Sequence, residues 1–166
     1  MDAILTTLLV IYCLAIFLIP FIYYKKPRNC VMSFCRKMAS EVRCRRCYTL
    51  AVPVVSLLYS FLFFKLRGPS LWDIPGLVVG LLLLREKFTS ATISWLHEDR
   101  VIQGLYFALF LFSLIRQELF TLSVTLATVM LASLFYPSKK VIRVMANPGD
   151  YPEFHNTNDE IFRMYF

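Results

Sequence analysis

Residues 48–64 read YTLAVPVVSLLYSFLFF and residues 119–136 read LFTLSVTLATVMLASLFY, two apolar runs without a single Asp, Glu, Lys or Arg. A run of about 20 apolar residues at 1.5 Å per residue matches a hydrocarbon core of roughly 30 Å, so both read as transmembrane helices. Residues 3–24, AILTTLLVIYCLAIFLIPFIYY, form a third such run, and the 18 basic and 11 acidic side chains fall almost entirely between the runs. The expected fold class is therefore all-α, a polytopic transmembrane helical bundle.

The composition agrees. The chain has 166 residues, 58% of them hydrophobic, with a mean hydropathy of +0.60 and a formal net charge of +7. That is too apolar for an ordinary soluble domain and too short for two membrane domains. A transmembrane barrel would alternate polar and apolar residues, whereas Leu14 to Tyr24 and Leu105 to Ile115 are apolar on every side. The whole chain, 1–166, reads as one membrane domain with no internal repeat.

Five spans are expected, at about 3–24, 48–64, 71–84, 101–115 and 119–136. The start Met1-Asp2 lacks a positive n-region and no small-residue cleavage site precedes Tyr23-Tyr24-Lys25-Lys26, so the first helix is expected to remain as an anchor. With the amino terminus outside and the carboxy terminus cytoplasmic, 15 Lys and Arg lie inside and 3 outside. If 71–84 only dips into the membrane, a four-span arrangement, the balance becomes 9 against 9, and the positive-inside rule prefers five. Runs of 14 or 15 residues sit at the length where an interfacial segment competes with a span.

Two cytoplasmic appendages are expected. The loop 25–47 carries Lys25, Lys26, Arg28, Arg36, Lys37, Arg43, Arg45 and Arg46 against one acid, Glu41. These charges orient the protein and touch anionic lipid headgroups. With Phe34 as its only internal aromatic, the loop holds no nucleic-acid reader motif. It also carries Cys30, Cys35, Cys44 and Cys47 in the pattern C-x4-C-x8-C-x2-C. Three readings stand: a structural zinc site, a redox dithiol at Cys44 and Cys47, or unpaired cytoplasmic thiols. The second appendage, 138–166, contains Thr157-Asn158-Asp159-Glu160, a capping box opening a short helix with an apolar end. So short a helix needs a surface to dock on, and its acids complement the basic loop.

Trp95, His97, Glu98 and Asp99 lie between the third and fourth spans. Adjacent residues on a helix point in different directions, so they read as an interfacial turn rather than a metal cluster. Within the bilayer, Gly76 and Gly80 form a G-x-x-x-G pair, Ser56 and Ser60 lie one turn apart, and Thr121, Thr125 and Thr128 recur at helical spacing. Small and hydroxylated faces of this kind let helices approach closely and hydrogen-bond across the interface.

No nucleophile elbow, phosphate loop, metalloenzyme spacing or intramembrane carboxylate pair occurs, so neither an enzyme nor a cofactor is indicated. The expectation is a protein that acts by contact with another membrane protein or with itself. In architecture, the short Met1-Asp2 start on an uncleaved helix, the uncharged spans and the brief loops resemble those of small prophage- and plasmid-encoded inner-membrane exclusion and immunity proteins. That resemblance implies a bacterial inner-membrane location and a superinfection or entry exclusion function, blocking phage DNA, conjugation or pore formers. It carries over no individual residue. The alternatives are an accessory or assembly subunit of a membrane complex and a cysteine-dependent redox or zinc-linked protein.

Overall fold

The computed structural model describes residues 29–147 and 157–165, together with the single positions Ile4, Thr7, Ile11 and Ala15, all four helical. The expected first span, Lys25, Lys26 and Arg28 therefore fall largely outside the described residues. Within them the fold is all-helical, with no strand. The helices are α1 (Asn29–Ser40), α2 (Val42–Arg67), α3 (Ile74–Leu82), α4 (Glu86–Glu98), α5 (Arg100–Ile115), α6 (Phe120–Leu134), α7 (Lys139–Ala146) and α8 (Asn158–Tyr165). Short 3-10 turns at Leu71–Asp73 and Gln117–Leu119 precede α3 and α6.

Two stretches are long and apolar enough to cross a membrane: Val42–Lys65, within α2, and Phe120–Ala146, which comprises α6 and α7 across a brief break. The expected spans 71–84 and 101–115 appear as the shorter helices α3 and α5, about 14 and 24 Å long at 1.5 Å per residue. The segment 85–100, expected as a turn, is mostly the 13-residue helix α4. Likewise the basic loop is mostly helix, formed by α1 and the first turns of α2.

Local sequence explains the breaks. Gly68 ends α2 with φ +85°, a conformation that costs a side-chain-bearing residue dearly, and its N–H returns to Phe64 O at 2.9 Å. Ser70 and Asp73 then form a capping box: the Asp73 carboxylate accepts from Ser70 N–H at 3.0 Å, and the Ser70 hydroxyl accepts from Trp72 N–H at 3.4 Å. Asp99 caps α5 through Val101 N–H at 2.8 Å, and Ser138 caps α7 after Pro137 has ended the preceding run.

The central element is α6. It packs against α2, α3, α4 and α5, and 72% of its apolar window is buried, against 33% for the window in α2. Met38, Val52, Leu83, Ile93, Leu96, Val129, Ala132 and Tyr136 form the main core. A stacked pair, Phe63 and Phe120 with centroids 4.6 Å apart, closes the end of the bundle that carries both 3-10 turns. At the opposite end α1, α7 and α8 make a separate small core from Cys35, Ala39, Val141 and Ile161. The tail helix α8 thus docks on α1, and the Thr157 hydroxyl caps it through Glu160 N–H at 3.4 Å.

Candidate functional site

A polar seam runs inside the apolar bundle. Ser56 on α2 and Thr125 on α6 are fully buried and share a hydrogen bond of 2.7 Å. Thr125 also donates to Thr121 O at 2.8 Å, Thr128 to Val124 O at 2.7 Å, and Ser60 to Ser56 O at 3.0 Å. Farther along, Ser123 donates to Ser113 on α5 at 2.9 Å. Back-bonding to a carbonyl one turn earlier lets a hydroxyl sit in an apolar interior without an orphaned donor. Among the described residues, no buried side-chain N or O lacks a partner.

The glycines set how closely the seam can close. A Cβ on Gly76 would lie 2.6 Å from Leu122 N and 2.7 Å from Thr121 C, so α3 rests directly on the backbone of α6. A Cβ on Gly80 would lie 3.1 Å from Leu57 Cδ2, the far end of a side chain on α2. The pair Gly76 and Gly80 therefore fits α3 between α6 and α2. Asp73, near the start of the expected span 71–84, is buried at the start of this contact with the Thr121 hydroxyl 3.4 Å from its Oδ1.

At the other end, two carbonyls of α6 receive side-chain donors. Tyr48 O–H donates to Ala132 O at 3.0 Å, and His97 Nδ1 lies 2.8 Å from Ser133 O. A carbonyl only accepts, so Nδ1 carries the proton. Residue 137, which would supply the helical N–H to Ser133 O, is Pro. The neighbours of His97 face elsewhere. Glu98 accepts from the Lys139 amide at 2.8 Å and from its ammonium at 2.9 Å, while Asp99 caps α5. Burial works against ionisation of Glu98, but the two Lys139 donors and nearby His97 outweigh it and hold the carboxyl below its usual range.

The cysteines are distributed rather than gathered. Cys35 is buried in the α1–α7–α8 core, where burial pushes its thiol up to about 11. Cys44 lies against Glu41 Oε2 at 3.2 Å and Cys47 is exposed; the Cys30 side chain falls outside those described. Among the described residues no three His, Cys, Asp or Glu converge as a metal site.

The basic residues have distinct placements. Arg45 closes α1 by donating to Met38 O at 3.0 Å and Ala39 O at 2.8 Å. Arg46 pairs with Glu86 at 3.1 Å, bringing the start of α4 to the start of α2. Arg36, Lys37 and Arg43 are exposed on the same end of the molecule. The Tyr48, His97 and Asp73 contacts escaped the sequence reading because each joins segments distant in the chain. The one available cue was Pro137 four residues after Ser133.

Comparison with protein families, curated proteins and solved structures finds no match to this chain.

Proposed function

We propose that this chain is a multi-pass integral membrane protein that acts by contact with another membrane protein. The observation that carries the reading is the outward face of α2. Val54, Val55, Leu58, Phe61 and Leu62 are 45–62% exposed, while Ser56 and Ser60 on the same helix are buried. A soluble helix places its hydroxyls outward and its large apolar side chains inward; here the polarity is inverted, as suits a lipid surrounding. So broad an apolar face in water would drive association.

In this reading α2, α3, α5 and α6 cross or enter the bilayer and the residue 3–24 segment adds the fifth span. The capped end with α1, α7 and α8 faces the cytoplasm, and α4 lies along the inner interface with Phe88 and Trp95 outward. Short α3 and α5 fit by local thinning of the bilayer and by snorkelling of Arg85, Lys87 and Arg116. The interior hydroxyls serve packing, since they are consumed by one another and by backbone carbonyls. The most specific form of the proposal is an exclusion or immunity factor in a bacterial inner membrane that blocks phage DNA, conjugation or pore formers.

The test is extraction of the tagged chain from its native membrane in mild detergent, followed by mass spectrometry of what co-purifies. A membrane protein recovered with it, together with host resistance to a phage, plasmid or toxin, supports the proposal. Recovery from the soluble fraction without detergent overturns it. A fixed-stoichiometry complex with no resistance phenotype replaces exclusion with a subunit role.

A further inference from the structure

Between the end of α3 and the start of α4 the chain turns at Leu83–Arg85 and leaves an open groove of about 700 Å³, lined by Leu82, Arg85, Glu86, Lys87, Phe88 and Ala91. Two properties coincide there. Leu82 and Phe88 are 46% and 45% exposed, so the groove has an apolar floor open to the surroundings. Arg85 and Lys87 flank it with exposed side chains that make no ion pair among the described residues. The one acid in the lining, Glu86, is neutralised by Arg46 at 3.1 Å. Two free cations over an apolar floor therefore remain.

We infer that this groove binds one anionic phospholipid, with its phosphate between Arg85 and Lys87 and an acyl chain along Leu82, Phe88 and Ala91. The inference rests on the membrane reading, which sets α4 at the inner interface. Charge complementarity selects an anion, and the apolar floor selects an amphiphile over a soluble anion, which would leave Leu82 and Phe88 in contact with water. A second groove, of about 490 Å³ beside Trp95, lacks this character because its lining mixes Glu98 and Asp99 with Arg100. Each basic residue near a phosphate contributes enough that losing both weakens retention of the lipid roughly 30-fold.

The experiment uses the full chain in a neutral detergent and native mass spectrometry, with phosphatidylglycerol and phosphatidylcholine of identical acyl chains as probes. The expected result is one phosphatidylglycerol retained per chain in preference to phosphatidylcholine. R85Q/K87Q should lose that retention, while R85K/K87R and the equally charge-reduced K140Q/R143Q, at two exposed positions of α7, keep it. Equal loss in K140Q/R143Q, equal retention of phosphatidylcholine, or displacement by inorganic phosphate at the lipid's own concentration would overturn the assignment. Helicity by circular dichroism confirms that R85Q/K87Q is folded, and the single variants R85Q and K87Q, each expected to weaken retention about fivefold, carry the comparison if it is not. Retention unchanged in R85Q/K87Q from a detergent-dependent protein defeats the groove alone; recovery of the chain without detergent defeats the membrane reading beneath it.

Discussion

His97 on α4 and Ser133 on α6 are joined by a 2.8 Å hydrogen bond that supplies the donor Pro137 cannot give. Together with Tyr48 and Ala132 it ties the end of the most buried helix to two neighbours, so the proline break is a point of tertiary attachment. Replacing His97 with Ala leaves the Ser133 carbonyl only the longer 3.4 Å bond from Tyr136 N–H, a loss of about 0.5–1.5 kcal/mol. Pro137→Ala adds the backbone N–H that a continued α6 helix would direct to Ser133 O. The double variant H97A/P137A should therefore unfold at a higher temperature than H97A in the same detergent; an equal or lower midpoint would refute the attachment.

The two seam glycines differ in what a methyl group meets. At Gly76 the obstacle is the backbone of α6, and at Gly80 it is the mobile end of Leu57. Gly76→Ala should cost about 1–3 kcal/mol, as overpacking does where nothing can yield, and Gly80→Ala distinctly less. Thermal midpoints of the two variants in detergent test this order.

Ser56 and Thr125 should show direct coupling. Interhelical hydrogen bonds within membranes are worth about 0.6 kcal/mol on average, with an upper end near 1.7. A double-mutant cycle of Ser56→Ala and Thr125→Val, read by reversible unfolding in bicelles, is expected to give a coupling energy in that range. A value of zero would mean that the two hydroxyls are independently satisfied.

The Glu98–Lys139 contact predicts a pH dependence of definite sign. Because the carboxyl is held below its ordinary value of 4.5, the folded state gains stability above that value and loses it as the pH falls through the lower, folded one. Glu98→Gln should lower the thermal midpoint near neutrality. The difference from the parent should shrink as the medium is acidified below 4.5. A difference that stays constant in acid would show that the charge contributes nothing.

Thiol chemistry should separate Cys35 from Cys47. Burial and a pKa near 11 leave Cys35 almost wholly protonated and sterically shielded, whereas Cys47 is exposed. Maleimide labelling followed by peptide mass spectrometry should modify Cys47 promptly, and Cys35 only after the α1–α7–α8 core opens. Comparable rates in the folded protein would contradict that core.

Some of this organisation was legible in the amino-acid order because it follows from local rules. Uncharged runs at 48–64 and 119–136 dictate helices, since an apolar backbone segment must satisfy its own hydrogen bonds. The small residues Gly76, Gly80, Thr121 and Thr125 fall on helical spacing, and Thr157 caps α8 through Glu160 N–H. Residues 85–100 were harder to read: their buried positions Thr89, Ile93 and Leu96 alternate with exposed Phe88 and Trp95, and that pattern has meaning only once α6 lies on one side.

The helical class, the apolar runs and the excess of positive charge follow from the amino-acid order, because each is a property of neighbours along the chain. That α6 is the buried hub while α2 shows its apolar face outward follows from packing. Both runs are equally devoid of charge, and burial depends on which helices surround them. The same holds for Asp73, for His97 at Ser133 and for Cys35 beneath α8, since loop closure brings together groups whose sequence separation carries no trace of their contact.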